Sequence, residues 1–305
     1  MSNVTSPYVS IIMNCFNGEK FLNEAIDSVY NQSFIDWEII FFDNASNDNS
    51  HEIANSYDDK LRYIRIDQNV CLGKARNLAM KRASGKYIAF LDCDDLYLPF
   101  KLEQQVSLMD KNKFVMSYGG AQIIDEYGSL RGNKPAKNFS GSIFKNLLLN
   151  YEINMQSVML LRSYTISENL SFPETFQYGP DYDLFMDIAS KQDVGVINDQ
   201  IVKTRIHSGA LTHKKLHCIR DELKSTIDRL VASNPTLAKD YKEEIKLAYG
   251  KFEFYQAVYL ITSENPLEAR KIIKKIINQR WQYLILYILL ILNLPKKFIL
   301  SLLNR

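Results

Sequence analysis

Residues 88–95, Ile88-Ala89-Phe90-Leu91-Asp92-Cys93-Asp94-Asp95, join a short apolar run directly to three carboxylates. An apolar run of this length predicts a strand that is covered on both faces, as in a parallel sheet. In extended geometry Asp92 and Asp94 project to the same side, and open α/β sheets bind ligands at the carboxyl ends of their strands. Two carboxylates there suit a hard divalent cation. A polar turn after a strand explains these residues alone equally well.

Three further strand-to-loop junctions precede this one. Apolar strands are predicted from Pro7 to about Cys15, over 37–42 and over 61–66, and each runs into a polar loop. Helices are predicted between them, with apolar positions on one face near 21–29 and a further helix over about 74–83. The resulting order, β-α-β-α-β-α-β, predicts a mostly parallel sheet flanked by helices, a Rossmann-like α/β fold. A later strand is expected over residues 154–160.

Four motifs in this order resemble the family 2 glycosyltransferases with the GT-A fold. They are Val-Ser-Ile-Ile-Met-Asn-Cys-Phe-Asn (9–17), Phe-Asp-Asn-Ala-Ser-Asn-Asp-Asn-Ser (42–50), Gly-Lys-Ala-Arg-Asn (73–77) and Phe-Leu-Asp-Cys-Asp-Asp (90–95). The resemblance covers residues 7–210. It implies transfer of a sugar from a nucleotide diphosphate donor with inversion at the anomeric carbon, assisted by Mn²⁺ or Mg²⁺.

The same resemblance assigns roles to the acidic cluster. Asp94 is expected to be the more direct metal ligand, and Asp92 to contact the ribose or a bound water. Asp95 is expected either to contact the donor sugar or to cap the following turn. A metal that bridges the diphosphate would stabilise the charge that grows on the leaving group.

Further residues are assigned to the nucleotide by their position in the motifs. Asp43 matches a carboxylate that accepts the uracil N3–H, although Asn44 replaces a second acidic residue found in many relatives. Phe16 and Asn17 are expected to line the base pocket, with a core position as the alternative for Phe16. Arg76 is expected near the phosphates, where a guanidinium is well suited; a surface salt bridge is the alternative.

The catalytic base and a third metal ligand are expected later in the chain. In residues 178–186, Asp181 matches the family's base, while Pro180 replaces the usual Glu. Asp181 could instead stabilise a helix N-terminus by charge, but an aspartate is ordinarily ionised at pH 7 and can accept a proton without special tuning. His207, in an Arg-x-His sequence, is expected to complete the metal shell or to contact the diphosphate.

Composition and charge bound the remaining possibilities. The 305 residues, 46% hydrophobic and 24% charged, are ordinary for a globular protein. The four cysteines are scattered, which predicts free thiols in a reducing compartment. The N-terminus lacks a basic and apolar signal segment, so a cytoplasmic location is expected. No nucleic-acid motif accompanies the basic residues.

The C-terminal ninety residues predict a second region. We expect a GT-A nucleotide-sugar domain over 1–215 and an all-helical region over 216–305. The last forty residues carry eight Lys and Arg residues against Glu268 alone. Their apolar stretch, 281–294, is shorter than a membrane span and ends at Pro295-Lys296-Lys297. A membrane-associating tail over about 281–305 is therefore expected on the inner leaflet; a buried or oligomer-forming helix and a true span are the alternatives.

The sequence thus predicts an inverting, metal-dependent hexosyltransferase of bacterial surface-glycan synthesis (O-antigen, lipopolysaccharide or capsule). Its donor is expected to be a UDP-sugar, with dTDP and GDP still open, and its acceptor a lipid-linked or saccharide hydroxyl. Peripheral attachment to the cytoplasmic face of the inner membrane follows from the tail, and a homo-oligomer is left open. The alternatives are a catalytically inactive membrane-bound scaffold and a sugar-phosphate nucleotidyltransferase, which would carry a Gly-rich basic loop after its first strand.

Overall fold

The computed structural model describes residues 6–207, 216–292, 294–295 and 298–299. The chain divides into two compact units. In described residues, the first contains 6–147, 151–175 and 183–207, and the second contains 148–150, 176–182 and the residues from 216 onward.

The first unit begins with the alternating pattern that the sequence predicts. Its first strands and helices are β1 (Val9–Cys15), α1 (Glu19–Tyr30), β2 (Trp37–Asp43), α2 (Ser50–Asn55), β3 (Leu61–Arg65), α3 (Leu72–Met80) and β4 (Tyr87–Phe90). Strands β3, β2, β1 and β4 are adjacent and parallel. Strands β1, β2 and β4 are buried along their whole length, as expected for strands covered on both faces.

The other half of the sheet is mixed. It contains β5 (Leu96–Tyr97), β6 (Met116–Ile124), β7 (Leu130–Lys134), β8 (Met159–Leu161) and β9 (Gly195–Arg205). The order across the sheet is β3-β2-β1-β4-β8-β6-β9-β5, with β7 paired to β6. Strand β8 is antiparallel to both β4 and β6, whereas β6 and β9 are parallel. Helices α4 (Lys101–Asn112), α5 (Phe144–Leu149), α6 (Arg162–Ser167) and α7 (Pro180–Lys191) complete this part of the chain.

Two local predictions needed correction. Strand β4 ends at Phe90, two residues before Asp92, and the carboxylates lie in a turn in which the Asp95 N–H donates to the Asp92 carbonyl at 3.2 Å. The orientations of Asp92 and Asp94 are therefore set by this turn and not by the alternation expected for an extended strand. Residues 154–160, which we expected to be one strand, form a single 3₁₀ turn (Met155–Ser157) followed by β8, because Asn154 caps the turn with its side chain.

The second unit is helical in its described residues. After a 3₁₀ turn (Leu216–Cys218) come α8 (Ile219–Ser233), α9 (Thr236–Asp240), α10 (Lys242–Thr262), α11 (Pro266–Ile276) and α12 (Trp281–Ile291). Helices α10, α11 and α12 share an apolar core that includes Ala257, Ile273 and Leu286. No helix in the described residues is both long enough and apolar enough to span a bilayer. Most of the tail predicted beyond residue 292, including Lys296 and Lys297, lies outside the described residues.

Candidate active site

The carboxyl ends of the parallel strands bring together most of the residues singled out by the sequence. Register pairs Cys15 at the end of β1 with Asp43 at the end of β2, and the β4 strand leads into the acidic turn beside them. The loops after β1 and β2 are joined directly, since the Asn44 N–H donates to the Cys15 carbonyl at 2.8 Å. This is the edge at which open α/β sheets bind ligands.

Asp92 is held between two side chains from distant parts of the chain. Arg76, buried in α3, places Nη2 at 3.1 Å and 3.3 Å from the two Asp92 carboxylate oxygens. Its guanidinium carbon lies 5.5 Å from the ring centroid of Phe172. Gln156 donates from Nε2 to Asp92 Oδ2 at 2.6 Å. Arg76 is thus a buried partner of the acidic motif rather than a member of a surface salt bridge.

Asp94 pairs with His207. The His207 Nε2 lies 2.9 Å from Asp94 Oδ2, and the imidazole ring packs edge-on against Phe21 with ring centroids 5.3 Å apart. Burial, and then the negative charge of Asp92, raise the pKa of the Asp94 carboxyl, and the His207 contact offsets part of this rise. Both side chains are partly exposed, so a ligand can reach this pair.

Asp95 is engaged in the fold. Its buried carboxylate accepts the Arg205 N–H at 2.7 Å. Burial and the charges of Asp94 and Asp92 raise the pKa of Asp95 well above its ordinary value. The Arg205 side chain donates to the Asp94 carbonyl at 3.0 Å and to Glu24 at 2.8 Å. These contacts favour a structural role for Asp95 over the donor-sugar contact considered above.

Asp43 is fully buried and already has three donors. Tyr63 and Arg65 each donate to Oδ2 at 2.6 Å, and the Ser46 N–H donates to Oδ1 at 2.8 Å. Burial alone would raise the pKa of Asp43, but the hydrogen bonds from Tyr63, Ser46 and Arg65 outweigh it, so the pKa is lowered. Because Asp43 has no exposed surface, the predicted contact to a nucleobase requires one of these partners to move.

Phe16 and Asn17 follow β1 and are both exposed. The Phe16 ring is 53% exposed, so it is not a core residue and is available to stack on a ligand. Asn17 has a left-handed backbone (φ 54°) and joins the two loops. Its N–H donates to Ser46 Oγ at 3.0 Å, and its Oδ1 accepts the Asn47 N–H at 2.9 Å. The Asn17 side-chain oxygen is therefore already hydrogen-bonded to the loop after β2.

Asp181 belongs to the second unit. It is the second residue of α7, which begins at Pro180, and the boundary between the units falls between Tyr182 and Asp183. A carboxylate in the first turn of a helix is stabilised in its ionised form by the helix dipole.

Comparison with known proteins identifies the family. The sequence model of "Glycosyl transferase family 2" matches residues 10–167. The chain belongs to glycosyltransferase family 2. A relative from Escherichia coli, named UDP-Glc:alpha-D-GlcNAc-diphosphoundecaprenol beta-1,3-glucosyltransferase WfgD, is 33% identical over 238 residues, which cover 76% of this chain and 89% of that protein.

Two further comparisons bear on length and fold. An uncharacterized glycosyltransferase from Rickettsia felis is 36% identical over 206 residues, 67% of this chain, and the match spans only about a third of that protein (34%). The solved structure of the mannosyltransferase PcManGT from Pyrobaculum calidifontis, in complex with GDP-Man and Mn²⁺, superposes with a TM-score of 0.58 at 14% identity, covering 94% of this chain and 85% of that one. This likeness supports the GT-A fold of the family 2 member described here.

Sequence reasoning missed three residues that organise the site. Gln156 contacts Asp92, and Tyr63 and Arg65 contact Asp43. Tyr63 and Arg65 are two positions apart in β3, which indicates that they share one face of that strand. Gln156 gave a weaker signal, as a polar residue in an otherwise apolar stretch.

Proposed function

We propose that this chain is an inverting, metal-dependent glycosyltransferase that moves a sugar from a nucleotide diphosphate to an acceptor hydroxyl. The observation that carries the proposal is the arrangement after β4, where Asp94 pairs with His207 while Asp92 is held by Arg76. The accessible Asp94 carboxylate and His207 imidazole provide ligands for a cation. The buried Arg76 guanidinium provides positive charge for phosphates.

The site fits a metal that arrives with its nucleotide. In the described part of the chain, no three side chains of His, Cys, Asp or Glu come together as a preformed metal centre. Mg²⁺ in nucleotide sites is commonly held by one or two carboxylates and completes its shell with phosphates and water. Asp94 provides one carboxylate, and His207 Nε2, 2.9 Å from Asp94 Oδ2, is placed to provide a further ligand. When bound, such an ion would neutralise the charge of the leaving diphosphate.

Asp181 is the proposed catalytic base. The acceptor oxygen attacks the anomeric carbon from the face opposite the diphosphate, the bond from that carbon to the diphosphate breaks, and the hydroxyl proton passes to the Asp181 carboxylate. Direct displacement from the opposite face inverts the configuration. The carboxylate lies in the first turn of α7, where the helix dipole favours a negative charge.

A UDP-sugar is the preferred donor. The name of the E. coli relative includes UDP-Glc and an acceptor linked to diphosphoundecaprenol. Exposed Phe16 provides an aromatic face for a base beside the buried Asp43. Because PcManGT binds GDP-Man, donors with other nucleotides should also be tested.

A lipid-linked acceptor of bacterial surface-glycan synthesis fits the second unit. Helix α12 leaves an apolar face open, which consists of Trp281, Leu284, Ile285, Ile288 and Ile291. Helix α11 adds exposed Arg270, Lys271, Lys274 and Lys275. An apolar face accompanied by basic residues favours peripheral attachment to an anionic membrane surface, which for this substrate is the cytoplasmic face of the inner membrane.

Nucleotide release tests the proposal. UDP-, dTDP- and GDP-sugars are offered with Mn²⁺ or Mg²⁺, with and without EDTA, together with an undecaprenyl diphosphate-linked sugar as acceptor. We expect release from one donor that EDTA abolishes and that Asp94→Asn lowers about 100-fold. Asp110→Asn is the matched control, because Asp110 accepts hydrogen bonds from Tyr8 and Tyr87, near the amino ends of β1 and β4.

The alternatives predict other results. An inactive scaffold would bind no nucleotide with metal present and would turn over no donor. A nucleotidyltransferase would release pyrophosphate from a nucleoside triphosphate and a sugar phosphate. Release that is insensitive to both EDTA and Asp94→Asn would contradict the metal role proposed for Asp94.

A further inference from the structure

Gln156 uses both groups of its side-chain amide on a single residue, Asp92. Its Oε1 accepts the Asp92 backbone N–H at 2.8 Å, and its Nε2 donates to Asp92 Oδ2 at 2.6 Å. Because a backbone N–H can only donate, the orientation of the amide is fixed and Nε2 must face the carboxylate. Gln156 is 3% exposed, so water has little access to its amide.

Gln156 is itself held from two directions. It lies in the 3₁₀ turn Met155–Ser157, where its N–H donates to Asn154 Oδ1 at 3.0 Å. The Asn154 amide in turn donates to Thr204 Oγ1 in β9 at 2.9 Å. From α4, Gln105 donates to the Ser157 carbonyl at 2.8 Å. Turning Gln156 away from Asp92 would leave buried polar groups unpaired, at about 1–3 kcal/mol each.

Arg76 approaches the same carboxylate, at 3.1 Å and 3.3 Å from its two oxygens. Arg76 is buried and lies near the face of Phe172, so its position is also fixed. Two immobile donors from different parts of the chain therefore define the rotamer of Asp92. The lone pairs that they leave unused are the ones that a ligand can reach, since the Asp92 side chain is 35% exposed.

We propose that Gln156 is a positioning residue that fixes Asp92 for binding of the nucleotide diphosphate and its metal, an inference that rests on the proposed transferase function. Without Gln156, Arg76 alone orients the carboxylate, which then loses its tie to the 3₁₀ turn Met155–Ser157. A ligand that needs Asp92 in one place must then also offset the cost of ordering it. Removing groups that orient a binding residue typically lowers metal affinity or activity about 10–100-fold.

Two variants of Gln156 and one matched control test this inference. Gln156→Glu keeps the shape but faces Asp92 with an oxygen instead of a donor, and Gln156→Met removes both hydrogen bonds. Gln105→Met is the control, since Gln105 is equally buried and supports the same 3₁₀ turn without contacting an acidic residue of the site. Calorimetry measures the Kd of UDP, dTDP and GDP with Mn²⁺, kinetics separates KM from kcat, and thermal unfolding gives Tm.

We expect both Gln156 variants to raise the Kd of the nucleotide and the KM of the donor about 10–100-fold, with Gln156→Glu the more severe. Gln105→Met should lower Tm by at least as much and leave Kd and KM within about twofold of the wild type. Wild-type affinity in either Gln156 variant, or an equal loss in Gln105→Met, overturns the positioning role. If the wild type binds no nucleotide with Mn²⁺, the proposed function itself fails, which is a separate and recognisable result.

Discussion

At the scale of single residues, the three carboxylates of the acidic turn lie in three different environments. Asp92 contacts Arg76 and Gln156, Asp94 contacts His207, and Asp95 accepts the Arg205 N–H. Carboxylates that are equivalent in the sequence therefore have different tasks. Asp94 has the most exposed side-chain partner, His207. Asp95 connects the turn to β9 through the Arg205 N–H.

Gly18 shows how closely the first loop packs on this turn. A Cβ at Gly18 would lie 2.7 Å from the Cys93 Sγ and 2.8 Å from the Cys15 Sγ. Both cysteines are free, so neither sulfur is constrained by a disulfide, but Cys15 is buried and has little room to move. A side chain at this position must therefore displace one of the two thiols.

Gly18→Ala is expected to lower the free energy of unfolding by about 1–3 kcal/mol, the usual cost of overpacking. Gly132→Ala is the control, because a Cβ there meets nothing within 4 Å and should change stability by less than about 0.5 kcal/mol. Urea denaturation of both variants measures the difference. Equal stabilities would show that the loop relaxes without cost.

At the scale of elements, helix α4 carries an unusual buried lysine. Lys101, in its first turn, is fully buried and donates from Nζ to Gln105 Oε1 at 2.7 Å, and its Nζ lies 4.1 Å from the ring centroid of Tyr97. Burial lowers the pKa of Lys101 well below its ordinary value. The unfolded chain, in which lysine titrates near pH 10.4, therefore binds the proton more strongly than the folded protein does.

The free energy of unfolding is thus expected to rise with pH between the lowered pKa of folded Lys101 and about pH 10.4, by up to about 1.4 kcal/mol per pH unit. Lys101→Met should remove this contribution, so the variant gains stability relative to the wild type at pH 6 and less at pH 9. Lys111→Met, on the exposed surface at the other end of α4, is the control. Denaturation curves at both pH values decide the matter, and parallel shifts in the two variants would contradict it.

The ends of two elements explain why the sequence-based predictions for residues 92–95 and 154–160 were wrong. The β4 strand ends early because Asp92 uses its backbone N–H on Gln156 instead of on a neighbouring strand. The 3₁₀ turn at Met155–Ser157 interrupts a run that looks apolar enough for one strand. Both departures depend on side-chain hydrogen bonds, which the hydrophobic period does not report.

At the scale of the whole chain, the second unit offers its most exposed apolar surface on α12. Trp281 is 68% exposed, whereas Tyr283, Leu286 and Leu290 of the same helix are buried in the helical core. In the described residues, one side of α12 therefore packs on protein and the other stays exposed, which fits a helix lying in a membrane interface.

The double variant Ile285→Gln with Ile288→Gln is expected to weaken binding to vesicles that contain anionic lipid by about 10-fold or more, from the lost transfer energy of two partly exposed side chains. Ile166→Gln removes an isoleucine of the first unit that is even more exposed, at 62% against 43% for Ile285 and 46% for Ile288, and it should leave vesicle binding unchanged. Co-sedimentation with anionic and with neutral vesicles separates the apolar from the electrostatic contribution. Binding of the wild type to neither kind of vesicle would remove membrane attachment from the proposal.

Much of the first unit could be predicted because its signals are local. The apolar runs that become β1, β2 and β4, the amphipathic face of α1 and the order of the four motifs are all properties of neighbouring residues. The mixed half of the sheet was not predicted, since β8 pairs antiparallel with both β4 and β6 without a hairpin turn to mark it.

The sequence by itself determined the family, the parallel core of the sheet and the acidic motif that follows its fourth strand. Only the tertiary structure decided which partner each carboxylate has. Arg76 reaches Asp92 across 16 residues, Gln156 across 64, and His207 reaches Asp94 across 113. Such pairs form because strand order brings distant segments to one edge of the sheet, and no local period or propensity records which distant side chain will arrive there.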